Sequence, residues 1–179
     1  MRLVLQPHPD SRPPAALTVE AEAERPAGGA LRLRFRVQGG GGSLALPAAA
    51  PSERADGLWA TTCFEAFVRT GEGDGYHEVN LSPSTRWAVY RFSGYREGMA
   101  NADVPPPRIE VSRGDVVELT AEVALPELAD AASWRLALAA VVEDDSGDKS
   151  YWALAHAPGK PDFHHIHGFA LVLPAMERA

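Results

Sequence analysis

The sequence predicts an all-β fold, a jelly-roll-type β-sandwich of two antiparallel sheets with little helix, and three observations carry that prediction. Leu31, Leu33, Phe35 and Val37 alternate strictly with Arg32, Arg34 and Arg36, so one face of this segment is apolar and the other cationic. Further strand-length runs follow at 16–23, 61–69, 76–82, 86–92, 108–112, 116–125, 134–142, 150–156 and 169–173. Gly and Pro clusters separate them at 39–42, 71–75, 105–107 and 158–161, with a polar turn at 146–148.

Taken in order, each run has its own warrant. The segment 16–23 alternates small apolar residues with Glu20 and Glu22, and 31–37 carries the arginine row. Gly39 to Ser43 imitates a flexible linker, but strand-like sequence continues on both sides, so it reads as a hairpin or inter-strand loop. In 61–69, Phe64, Ala66 and Val68 form one apolar face, while Cys63, Glu65 and Phe67 form a second that a single carboxylate interrupts. In 76–82, Tyr76, Glu78, Asn80 and Ser82 share one face and His77, Val79 and Leu81 the other. The polar row suits a polyhydroxylated ligand, and it equally suits a solvated outer sheet face. Trp134 opens the continuous apolar run 134–142 and is expected in the core. The Ala-rich 128–132 allows one short helical turn, and no helix long enough to cover a parallel sheet is present.

The whole chain bounds the function. Its 179 residues, 45% hydrophobic and 23% charged, suit one domain spanning 1–179 that buries its own core. A formal charge of -7 argues against nucleic acid or an anionic membrane as main partner. Lys149 and Lys160 are the only lysines among 17 basic residues, so the arginine excess reads as compositional bias. Cys63 is alone and needs no oxidising compartment; no export-type or membrane-spanning apolar stretch is present, and cytoplasmic is the expectation.

Candidate chemistry concentrates between residues 58 and 99 and near the C-terminus. A buried Glu65 needs a partner or a raised pKa: either it accepts from ligand hydroxyls, or it pairs with Arg86, Arg91 or Arg96. Trp59, after Asp56 and Gly57, and Trp152, after the acidic loop 143–148, are the candidate stacking platforms for the apolar face of a sugar ring. His156, His164, His165 and His167 raise a metal-dependent enzyme as an alternative, with His165 and His167 pointing one way and His164 the other; backbone-bonded loop histidines are the simpler reading. Cys63 sits inside an apolar strand as an inert thiol. No nucleophile elbow, phosphate loop or dinucleotide fingerprint is present, so no catalytic residue is assigned. Glu65 and Glu78 as a glycosidase pair depend on a separation that sequence does not supply.

Leu58-Trp59-Ala60-Thr61-Thr62-Cys63-Phe64-Glu65-Ala66-Phe67, Tyr76-His77-Glu78-Val79-Asn80-Leu81-Ser82-Pro83-Ser84 and Trp87-Ala88-Val89-Tyr90-Arg91-Phe92 together resemble the DOMON-like domains related to family 9 carbohydrate-binding modules. Ser150 to His156, with Pro158-Gly159-Lys160-Pro161-Asp162-Phe163-His164-His165, is similar to the closing signature of the uncharacterised bacterial branch of that superfamily, and the resemblance spans 58–173. It implies a jelly-roll sandwich with a ligand cleft and a non-catalytic role, binding carbohydrate or, alternatively, haem. By resemblance, Trp59 and Trp152 become stacking residues and Glu65, Asn80 and Arg91 polar contacts; His156 and Lys160 in the closing signature complete the candidate ligand-binding set. The implied sugar is a soluble mono- or oligosaccharide. A haem would take Met99 with His156 or His165 as axial ligands.

Overall fold

A computed structural model describes residues 1–39, 44–71 and 73–175. Among these lie twelve strands: β1 (Leu3–Pro7), β2 (Thr18–Glu24), β3 (Ala30–Gln38), β4 (Cys63–Arg69), β5 (Tyr76–Leu81), β6 (Trp87–Phe92), β7 (Ala100–Asn101), β8 (Arg108–Ser112), β9 (Val116–Ala124), β10 (Ser133–Glu143), β11 (Lys149–Ala153) and β12 (Leu171–Pro174). Among the described residues, helix is confined to single 3-10 turns at Leu58–Ala60, Pro126–Leu128 and Ile166–Gly168. No helix among the described residues is long and apolar enough to cross a membrane.

The strands form one curled antiparallel sheet ordered β7-β6-β5-β4-β10-β11-β1-β2-β3-β9-β8, with β12 also on β10. The curl turns on β1. Its Leu3, Val4 and Leu5 pair with β2, and its Gln6 and Pro7 pair with β11, so one short strand carries the ladder from one half of the sheet into the other. Strand β10 also serves two neighbours along one edge: Ser133–Leu136 face β12, and Ala139–Glu143 face β11. The curl brings the apolar faces together, and Phe35 of β3 stacks on Phe64 of β4 with ring centroids 5.0 Å apart.

The period-two readings translate into burial. Leu31, Leu33, Phe35 and Val37 are buried, while Arg32 and Arg34 are exposed. The cation row lies between carboxylate rows of β2 and β9: Arg32 meets Glu122 at 2.7 Å, and Arg36 meets Glu118 at 3.2 Å and Glu20 at 3.7 Å. Opposite charges on facing strands are a stabilising cross-strand pattern on a wet sheet face. Trp134 is fully buried, as expected, and its Nε1 donates to the Leu128 carbonyl at 3.0 Å. The Arg25 guanidinium lies 4.4 Å from the Trp134 ring centre and donates to the carbonyls of Leu128, Ala129 and Ala131, tying β2 to the turn before β10.

The expected loop 40–43 lies outside the described residues. Gly39 at its edge is required: its φ is 91°, and a Cβ there would lie 2.0 Å from the Ala16 carbonyl oxygen.

Apart from the exposed Arg91 and Arg135, strands β4, β5, β6 and β10 are covered on both faces. One face joins the main core through Phe64, Val68, Val79, Leu81, Trp87, Val89, Leu136 and Leu138. The other carries a second apolar cluster, Phe67, Tyr76, Ala88, Tyr90, Phe92, Ala137 and Phe169, against which Leu58 and Phe163 pack. The polar row of β5 is therefore not a solvated face: Tyr76, Glu78, Asn80 and Ser82 are all buried.

Candidate functional site

The second face of β4, β5 and β6 supports a cleft of about 390 Å³. Its walls divide by chemistry. Trp59, Phe92, Tyr151 and Phe163 supply aromatic surface with Met99, Val141 and Pro161, and Glu65, Glu78, Arg96 and His164 supply the polar groups. Successive strands place the carboxylates: Glu65 lies opposite Asn80 in the β4–β5 register, and Glu78 opposite Phe67. Alternation sends both to the side away from the main core.

Glu65 is the least expected group in this cleft. It is only 4% exposed, and its Oε1 has no hydrogen-bond partner. Burial pushes its carboxyl well above the ordinary range, the neighbouring Glu78 pushes the same way, and Arg96 opposes them. Glu78 is raised chiefly by burial, against donation from Asn80 and the charge of Arg96. Its Oε1 accepts from Asn80 Nδ2 at 2.7 Å.

A relay of polar contacts ties the covering loops to the strands. The backbone N–H of Arg96 donates to the Tyr76 hydroxyl at 3.2 Å, and that hydroxyl lies 2.7 Å from His164 Nδ1. With its oxygen accepting from Arg96, the tyrosine proton is available to Nδ1, an arrangement that pairs with the tautomer carrying its proton on Nε2. That nitrogen faces Glu78 at 3.8 Å. Burial, reinforced by the charge of Arg96, lowers the His164 pKa to about 4, so the ring is neutral near neutral pH. Arg96 itself has a φ of 57°, a left-handed conformation that costs a non-glycine residue about 1 kcal/mol or more. Its guanidinium donates to Asp162 at 2.8 Å, and Tyr95 Oη donates to the same carboxylate. Burial would raise the Asp162 pKa, but these two donors outweigh it and hold the group below its ordinary value.

Trp59 forms the rim. It sits in the 3-10 turn Leu58–Ala60, entered through Gly57 at a φ of 72°, and is 44% exposed. The turn is anchored from below: the Tyr90 hydroxyl donates to Asp56 at 2.6 Å, Arg54 donates to Asp56 at 2.8 Å, and the Tyr90 ring meets Trp59 edge-on at 6.3 Å.

Of the seven residues singled out from sequence, Trp59 and Glu65 line this cleft. Asn80 lies beneath it, fully buried, orienting Glu78. Arg91 is exposed on the opposite face of β6, in register with His77. Trp152 is buried in the main core with its Nε1 donating to Ser150 Oγ at 2.9 Å, and its neighbour Tyr151 is the residue that reaches the cleft. His156 packs edge-on against His8 at 4.9 Å with its Nε2 2.8 Å from the Gln6 carbonyl. His156 and Lys160 border a separate depression beside His8 and Asp10.

The histidine run separates, though through the 3-10 turn Ile166–Gly168 that His165 caps and not through an extended segment. His165 and His167 meet edge-on at 4.6 Å, and His164 turns into the cleft. Among the described residues no group of three or more His, Cys, Asp or Glu is placed to hold a metal ion. Met99 lines the cleft, but neither His156 nor His165 is among its walls. Cys63 is buried, and desolvation pushes its thiol well above its ordinary value. A second concavity, of about 400 Å³, opens on the Arg–Glu face of β2, β3 and β9, where Arg32, Arg34 and Arg108 are already paired with Glu122, Glu118 and Glu110.

Three solved structures share the fold at low identity. A candidate carbohydrate-binding protein from Bacteroides uniformis matches with a TM-score of 0.66 at 14% identity, over 98% of this chain and 86% of that one. A family 9 carbohydrate-binding module from Caldicellulosiruptor kristjanssonii in complex with glucose matches at 0.55 and 11%, over 98% and 86%. The module from the same organism in complex with cellotriose matches at 0.58 and 10%, over 100% and 84%. No family model matches the chain. No curated protein matches it.

Proposed function

We propose that this chain is a non-catalytic binding module, one jelly-roll-type sandwich unit whose cleft on the second face of β4–β6 holds a small carbohydrate. The observation that carries the reading is the pairing of a half-exposed Trp59 at the rim with a buried, unpartnered Glu65 oxygen on the floor. A pyranose presents an apolar C–H face and a periphery of hydroxyls, and this cleft offers a flat ring for the first and unfilled hydrogen-bonding capacity for the second. Its volume lies near the lower end of the roughly 300–1,000 Å³ of small-molecule sites, which favours a mono- or disaccharide. The shared fold with sugar-bound modules supports the reading without assigning these residues.

In this account Trp59 stacks on the ring, Glu65 and Glu78 meet hydroxyls, Arg96 donates at the rim and Asn80 positions Glu78. A glycosidase pair needs its two carboxyls held in opposite protonation states. Glu65 and Glu78 are both shifted upward, which favours binding over hydrolysis. The compartment we attach to this module is the cytoplasm, on its cysteine usage.

A calorimetric screen against a panel of mono- and disaccharides tests the proposal. Trp59→Ala is expected to weaken the best ligand by tenfold or more while thermal unfolding stays cooperative, because the ring is half-exposed. A panel without any binder, or a Trp59→Ala variant that binds as well as the parent, would refute it.

A further inference from the structure

Two features of the cleft point beyond a neutral hydroxyl. The first is charge. Glu65 and Glu78 border the cavity, yet Arg96 is the one guanidinium among the wall residues, and Asp162 already engages it at 2.8 Å. The fourth polar wall residue, His164, is neutral. The second feature is the aromatic lining. Trp59, Phe92, Tyr151 and Phe163 border the same volume, and the negative faces of such rings attract a cation within about 6 Å.

A hydroxyl donor would satisfy one Glu65 oxygen and leave two carboxyl groups sharing a low-dielectric space. An ammonium group supplies three N–H donors and a positive charge, answering both the empty acceptor and the excess of carboxyls. From the unpartnered Glu65 oxygen, the adjacent Glu78 and the aromatic walls, we infer that the cleft selects an amino sugar with a free ammonium group over its neutral counterpart. The inference rests on the reading of the cleft as a sugar site. The ammonium lies against the Glu65 carboxyl with the Glu78 carboxyl as its second partner, its charge favouring their ionised forms, and the sugar ring covers Trp59.

The test is a calorimetric titration of the full chain at pH 6 with glucosamine, glucose, N-acetylglucosamine and ethanolamine. Glucosamine is expected to bind at least about tenfold more tightly than glucose or N-acetylglucosamine, which share its ring but lack the charge. Glu65→Gln, nearly isosteric, should bring that ratio to within about twofold; Glu78→Gln provides the same comparison should the first variant fold poorly. Glucose or N-acetylglucosamine binding as tightly as glucosamine overturns the inference and leaves the sugar reading standing. Ethanolamine binding alone, lost in Glu65→Gln, supports the ammonium site and overturns the sugar reading. Four silent titrations overturn both.

Discussion

Replacing Glu65 by Gln separates the cost of a buried carboxyl from the shape of its side chain. The folded protein holds Glu65 in its protonated form to a higher pH than the unfolded chain, because burial and Glu78 both disfavour the anion. Between the unfolded-chain value, about 4.3, and the raised folded value, the folded state therefore binds a proton that the unfolded state has released. Folding stability falls through that window as pH rises, by up to about 1.4 kcal/mol per unit. Gln keeps the volume and cannot ionise. The parent and Glu65→Gln should thus be similar in stability at pH 4.5, and the variant should gain steadily above it. In a domain of this size the gap in melting temperature should widen by about 3–5 °C per pH unit. Urea and thermal melts of both proteins at one-unit intervals from pH 4.5 to 7.5 read this directly. Parallel curves, or a variant less stable by a constant amount, would show that Glu65 ionises freely and would remove the electrostatic argument for the cleft.

Other consequences are independent of ligand. His164 should titrate near pH 4 by NMR; because its folded value lies below the unfolded-chain value, its stabilising contribution is present above about pH 6.5 and lost as pH falls towards 4, a change of no more than about 3 kcal/mol that a His164→Gln comparison isolates. Arg25→Ala removes donors from three carbonyls and a cation from the Trp134 face, and should cost about 2–4 kcal/mol in chemical denaturation; a loss below 1 kcal/mol would refute its bracing role. Gly39→Ala drives a methyl into the Ala16 carbonyl at a positive φ and should cost about 2 kcal/mol or more, so an unchanged melting temperature would contradict the close approach of Gly39 to Ala16.

Most strands were legible because their burial obeys a local rule. The alternation in 31–37 specifies both the strand and its faces, and the structure extends it by one residue at each end, to Ala30–Gln38. Strand β1 was not legible: Leu3–Pro7 is short, ends in proline and pairs half with β2 and half with β11, a partnership that only the tertiary curl creates. The two-residue β7 carries no periodic signal at all. At the site, parity placed Glu65 and Glu78 away from the main core, but parity cannot say what covers a face. The cover comes from the turn just before β4 and the loops after β6 and β11, through Trp59, Arg96, Phe163 and His164, and so a row compatible with solvent is in fact buried. The same limit explains Trp152. In β11, Tyr151 and Trp152 are both aromatic, so the pattern allowed either to face the cleft, and the pairing of Trp152 with Ala140 turned it into the core.

The claim on which the account rests is that the cleft beside Trp59 is where a small sugar binds. Titrating labelled protein with the tightest sugar of the panel, while following the four tryptophan indole signals by NMR, tests it most directly. A saturable shift of the Trp59 indole is expected, with Trp134 and Trp152 nearly still, since both are sealed in the core. A still Trp59 signal, with shifts instead confined to the Arg–Glu face of β2, β3 and β9, would contradict it.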